Sequence, residues 1–185
     1  ESIATGFSSV ASAVQKLEDI RLEDSPRVRT GFSELDRVLG GGLVPGSVVL
    51  IGGEPGAGKS TLLLQVGTEL AKQRPCLYVS GEESHQQIAE RAQRLGLPDG
   101  NVQVASLTFA EHVAELVMKE RPGGVVIDSI QTLHTDYIES AAGSISQIRE
   151  CTAELIKFAK ESHTPVILVG HITKDGTIAG PKILE

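Results

Sequence analysis

An α/β fold, with a mostly parallel central sheet covered by helices on both faces, is the architecture this 185-residue sequence predicts, and three observations carry it. Gly53-Glu54-Pro55-Gly56-Ala57-Gly58-Lys59-Ser60-Thr61 fits the pattern G-x-x-x-x-G-K-[ST] and directly follows the apolar run Val48-Val49-Leu50-Ile51, so strand, loop and helix start stand in the order a phosphate-binding loop requires. Short runs of β-branched residues alternate with helix-patterned stretches, as buried parallel strands joined by helical crossovers do. Polar residues cluster just after those runs, at 54–61, 80–84, 128–132 and 171–174, where such sheets bind ligands.

Residues 1–29 form a leader or linker in this reading. Ile3, Phe7, Val10, Val14 and Leu17 recur at helical spacing, and Glu18-Asp19 through Asp24-Ser25-Pro26 is a charged connector. The domain proper is expected over 30–185. Ser33 with Asp36 suits a helix N-terminus, Leu35, Val38 and Leu39 are its apolar positions, and Gly40-Gly41-Gly42 stops it. Pro45-Gly46 turns the chain into the first strand. After the glycine loop a helix is expected through about Gln73, ending before Pro75 because proline disfavours helical geometry in the residue before it. Cys76-Leu77-Tyr78-Val79 is the second strand, and Ser84 caps a helix with Ile88, Ala92 and Leu95 on one face, closed by Gly96.

Val102-Gln103-Val104 is a short strand expected at an edge. Thr108 and Glu111 make a capping-box pair ahead of Val113, Leu116 and Val117, and Pro122-Gly123-Gly124 ends that helix. Val125-Val126-Ile127 is a buried strand ending at Asp128. Ser144 and Gln147 offer a second capping box for a helix with Ile148, Cys151, Leu155 and Phe158 at a 3.6-residue period. Val166-Ile167-Leu168-Val169 is the last clear strand.

Composition frames what such a fold can do. A hydrophobic fraction of 40% and a charged fraction of 22% are ordinary for a soluble domain, and no apolar run reaches membrane-spanning length. Glu1-Ser2-Ile3-Ala4-Thr5 lacks the basic patch of a secretory leader, and Cys76 and Cys151, without metal-ligand spacing, suit small core residues. A reducing, cytoplasmic location is therefore expected. The formal charge of -7 argues against a uniformly basic surface for nucleic acid, but leaves a local one open.

The chemistry follows from the glycine loop. Gly53, Gly56 and Gly58 let consecutive backbone N–H groups point into one concavity, and the helix that opens at Lys59-Ser60-Thr61 adds unpaired N–H groups and partial positive charge. The whole stretch from Gly53 to Thr61, including Glu54, Pro55 and Ala57, is thus the candidate nucleotide cradle. Lys59 would reach the β- and γ-phosphates, and the Ser60 hydroxyl would ligate Mg²⁺. Asp128, at a strand end after three β-branched residues, suits the opposite side of the metal shell, against the alternative of a turn aspartate. Glu82 and Glu83 stand where a strand end would aim one carboxylate at the attacking water. Adjacent residues point oppositely, and Glu82 is favoured as the catalytic group. His171, at the tip of the last strand, is either a γ-phosphate sensor or a structural histidine. The long polar connections 132–143 and 172–181 leave the same side of the sheet, as a mobile lid, a subunit contact or a thinly basic DNA footprint.

Several stretches together resemble the bacterial RadA/Sms family of DNA-repair proteins. They are residues 30–42, the phosphate loop, Tyr78-Val79-Ser80-Gly81-Glu82-Glu83-Ser84, Ile127-Asp128-Ser129-Ile130-Gln131-Thr132, residues 143–150, and Gly170-His171-Ile172-Thr173-Lys174-Asp175-Gly176 through Ala179-Gly180-Pro181. The earlier blocks are shared with RecA-fold relatives such as KaiC and the DnaB helicases, whereas the last two are particular to RadA. The resemblance implies a RecA-like P-loop NTPase core in a homohexameric ring, with ATP and Mg²⁺ between subunits and single-stranded DNA in the channel. It implies branch migration alongside RecA, the catalytic glutamate at Glu82, and channel-facing loops at 132–143 and 172–181. Family members also carry a four-cysteine zinc finger, a Lys-Asn-Arg-Phe-Gly motif and a Lon-protease-like domain, and none of these lies in the sequence. The chain therefore resembles an excised, C-terminally truncated ATPase segment, expected to be monomeric or weakly associated, with zinc confined to the absent finger. The rival readings are a KaiC-like signalling ATPase that does not act on DNA, and a nucleotide-gated assembly module.

Overall fold

Runs in which every residue is apolar can be buried only by covering both sides of a strand, and this dictates the layered arrangement seen here. The structure, a computed structural model, describes residues 14–20, 26–53, 57–97 and 100–171. Its elements are α1 (Ser33–Val38), β1 (Val48–Gly53), α2 (Ala57–Leu70), β2 (Cys76–Ser80), α3 (His85–Arg94), β3 (Val102–Ser106), α4 (Ala110–Glu120), β4 (Gly124–Asp128), α5 (Ile145–Ser162) and β5 (Val166–His171). The five strands form one sheet in the order β1-β5-β4-β2-β3. Every pairing is parallel, and β3 lies at an edge as expected.

Alternate residues of the central strands feed two cores. Leu77, Val79, Val125, Ile127, Val166 and Leu168 pack against α4 and α5 through Val113, Val117, Ile148, Cys151, Leu155 and Phe158. Cys76, Tyr78, Val126, Ile167 and Val169 pack on the other face against Leu63, Val66, Leu70 and Ile88 of α2 and α3. Burial raises the Cys76 and Cys151 thiols to about 12, so both stay protonated, in keeping with core residues. Among the described residues no helix is long and apolar enough to cross a membrane.

Local chemistry differs from expectation mainly at helix starts. Ser33 is the first helical residue rather than a cap, and Asp36 turns back to accept from the Thr30 amide at 2.9 Å and the Thr30 hydroxyl at 2.8 Å. Val38 is exposed, while Leu35 and Leu39 pack inward. The Thr108–Glu111 box is absent: Phe109 holds the cap position without a side-chain bond, and the Glu111 carboxylate accepts from the Thr135 hydroxyl instead. The Ser144–Gln147 box is half made. Ser144 accepts from the Gln147 amide, but the Gln147 side chain serves the 135–140 connection, accepting from Thr135 N at 2.8 Å and donating to the carbonyls of Thr135 and Ser140. Ser84 and Gln87 do form a complete capping box, worth about 1 kcal/mol.

α2 ends at Leu70 and gives way to turns before Pro75. Gly40, Gly41 and Gly42 all adopt positive φ, which explains the stop after α1. In the leader, Val14 and Leu17 are exposed, Leu17–Asp19 forms a single 3-10 turn, and Val28 already bridges Leu43. The expected helix over the first residues, and the 172–181 connection, lie outside the described residues.

Candidate functional site

The strand order brings four chain-distant ends side by side. Gly53 pairs with His171 across β1 and β5, Asp128 pairs with Val169 across β4 and β5, and Ser80 pairs with Asp128 across β2 and β4. Parallel strands lie about 5 Å apart, so residues 53, 171, 128 and 80 form one rim at the C-terminal edge of the sheet.

Lys59 lies within the first turn of α2 and folds back over this rim. Its Nζ donates to the Gly53 carbonyl at 3.3 Å and meets His171 Nδ1 at 3.1 Å. An ammonium has only donors, so Nδ1 accepts and the imidazole proton resides on Nε2. A Cβ at Gly53 would come within 3.2 Å of Lys59 Cδ, so the glycine is what lets the lysine stem lie against the strand end. His171 is itself fixed by Gln131, whose side-chain amide accepts from His171 N at 3.2 Å and donates to His171 O at 3.4 Å, as a neighbouring strand would. Sequence reasoning assigned Gln131 no task; an amide that substitutes for a strand partner leaves no pattern in the chain.

Asp128 sits at the centre of the rim, and its peptide bond to Ser129 is cis. Burial raises its pKa, His171 and Lys59 pull it down, and Glu83 and Glu82 push it up again. A half-buried carboxylate at the strand end beside the phosphate loop supplies the oxygen ligand a hard divalent cation takes. Among the described residues no cluster of three or more His, Cys, Asp and Glu could hold a metal by itself. Mg²⁺ is typically held by one or two protein oxygens together with substrate phosphates, and a hydroxyl and a carboxylate are oxygens of that kind. Ser60 lies in the first turn of α2, next to Lys59. Gly58 has open space around its would-be Cβ. Glu54, Pro55 and Gly56 lie outside the described residues, as does the Ala57 side chain; Thr61 is partly buried in α2.

The two glutamates part company. Glu82 is exposed, while Glu83 is partly buried and ion-paired to Arg91. Gly81 donates to the Asp128 carbonyl at 3.2 Å, and a Cβ there would collide with the Thr132 side chain, so glycine lets this turn lie against the segment that follows β4.

Asp128 also sets a stability expectation. A carboxyl whose pKa is raised by folding holds its proton more tightly when folded. Stability therefore falls as pH rises from the ordinary value of 3.8 through the raised folded value, and stays at the lower level beyond it. Without ligand at neutral pH, Asp128→Asn is expected to melt a few degrees above the parent and to lose that acid-range dependence, which thermal melts across pH will check.

The sequence pattern of the AAA domain family matches residues 14–177. The chain is similar to the DNA repair protein RadA of Salmonella typhimurium, with 56% identity over 178 residues, 96% of this chain and 39% of that protein. It is 56% identical over 180 residues to the protein of that name from Escherichia coli, covering 97% and 39%, and 50% identical over 183 residues to that from Bacillus subtilis, covering 97% and 40%. The chain thus spans about two fifths of the length of these relatives.

Proposed function

The chain belongs to the AAA domain family, and within it to the bacterial RadA/Sms group, of which it carries the RecA-like ATPase portion; from that premise we propose that it hydrolyses ATP to drive DNA-repair work on single-stranded DNA. The observation that carries the reading is the meeting of Lys59, His171 and Asp128 on one rim at the sheet edge, with the Glu82 turn beside it.

In this reading the amides of 53–61 bind the phosphates, and Lys59 leaves the Gly53 carbonyl and His171 Nδ1 to meet them. The released His171 then donates a hydrogen bond to a γ-phosphate oxygen and passes its state to the chain that follows. Ser60 and Asp128 would hold Mg²⁺, which when bound neutralises charge on the phosphate oxygens. Glu82 orients the attacking water and takes its proton. Low-dielectric packing behind the rim strengthens each of these charges. A ring of copies, RecA as a working partner and a cytoplasmic setting belong to the same proposal, supported by the likeness to RadA.

ATP turnover of the full-length protein, with and without single-stranded DNA, tests this. Stimulation by DNA that fades with added salt is expected, since phosphate contacts release counterions. Turnover indifferent to DNA would favour a KaiC-like signalling ATPase, which the RadA likeness disfavours. Tight ATP binding with negligible turnover would favour an assembly module.

A further inference from the structure

One buried charge behind the site has no part in the reaction outlined above. Arg91, on α3, has a side chain only 13% exposed. Its Nη1 pairs with Glu83 Oε2, whereas its Nε and Nη2 are shut away from water without a hydrogen-bond partner among the described residues. The buried Tyr78 hydroxyl of β2 lies close enough to feel the guanidinium charge, but makes no hydrogen bond of good geometry. A guanidinium held this deep is costly unless fixed by an opposite charge, and the Glu83 carboxylate supplies it.

The turn from β2 into α3 is fastened at every residue but one. Ser80 Oγ accepts from Glu83 N at 3.0 Å, Gly81 is bonded to β4 and wedged against Thr132, Glu83 is held by Arg91, and Ser84 is locked in its capping box. Glu82 is exposed, and its carboxylate carries no hydrogen bond or ion pair among the described residues. Glu83 also lies near enough to Asp128 to repel it.

We propose that Arg91 is a positioning residue: by pairing with Glu83 it holds and compensates the second of two adjacent carboxylates, which stands near Asp128, so that Glu82 is the one free carboxylate the turn presents to the water. This deepens the ATPase reading and rests on it. Without Arg91, Glu83 would stand as an uncompensated second negative charge beside Asp128, where metal and triphosphate must bind.

The test is a double-mutant cycle in the full-length protein, read as kcat, KM for ATP and Mg²⁺ requirement. Arg91→Met is expected to lower kcat about tenfold and raise the Mg²⁺ requirement, with KM for ATP changed less than about twofold. Glu83→Gln alone keeps kcat within about twofold of the parent, and the combined variant recovers to within about threefold of Glu83→Gln. An arginine that merely staples the fold would lose melting temperature without any such recovery. A folded Arg91→Met protein with parental kcat and Mg²⁺ dependence, or a combined variant as slow as Arg91→Met, overturns the proposal. If Arg91→Met does not fold, Arg91→Lys with and without Glu83→Gln replaces it; the same recovery is expected, and its absence overturns the proposal equally. Binding of a fluorescent ATP analogue and turnover by the parent report on the underlying reading. Their absence removes both inferences, whereas normal parental turnover without recovery removes only this one.

Discussion

Lys59→Ala is expected to reduce ATP turnover at least about 100-fold, the loss typical when one preorganised charge is taken from a phosphate or oxyanion site. Among the described residues no carboxylate forms an ion pair with the lysine: its ammonium rests on a carbonyl at 3.3 Å and a neutral imidazole nitrogen at 3.1 Å, both weak partners beside a triphosphate. Phosphate therefore wins the ammonium with little to offset the gain, and alanine leaves the cradle short of its cation. The fold should survive, because Lys59 is only partly buried and lies outside both hydrophobic clusters. A variant that melts with the parent yet neither binds a fluorescent ATP analogue nor turns ATP over is the expected outcome. Parental hydrolysis by this variant would remove the phosphate loop from the account.

Glu82→Gln is expected to separate binding from chemistry. A general base contributes about 10²–10⁴ to rate, so kcat should fall by that factor. Nucleotide affinity should hold or rise, because a negative charge beside the phosphates has been removed. Glu83→Gln should behave differently, because Glu83 is committed to Arg91 and leaves Glu82 as the free carboxylate of the turn. If Glu82→Gln hydrolyses ATP normally while Glu83→Gln does not, the two glutamates have been assigned in the wrong order.

Those two glutamates also show how far the sequence reaches. The strands were readable because both their faces are buried, so Val125-Val126-Ile127 and Val166-Ile167-Leu168-Val169 are apolar without interruption. The phosphate loop was readable because its parts are contiguous. Capping pairs depart from expectation where another partner takes the side chain: Glu111 accepts from Thr135, and the Gln147 amide serves the 135–140 connection while Ser144 still caps its helix. Capping is worth about 1 kcal/mol, too little to dictate where a polar side chain goes once buried backbone needs it. The approach of Lys59 to His171 spans 112 residues and depends on β5 lying between β1 and β4, an order no local pattern encodes. Arg91 was invisible for the same reason: by sequence it is one more charged residue on a polar helix, and only folding places it behind Glu83.

The most direct measurement of the central claim is a structure of the Glu82→Gln protein with ATP and Mg²⁺. The account predicts the triphosphate against the amides of 53–61, Lys59 drawn off the Gly53 carbonyl onto phosphate oxygens, and the metal between the Ser60 hydroxyl and the Asp128 carboxylate. A map with Asp128 turned away and no anion at the loop under those conditions would contradict it.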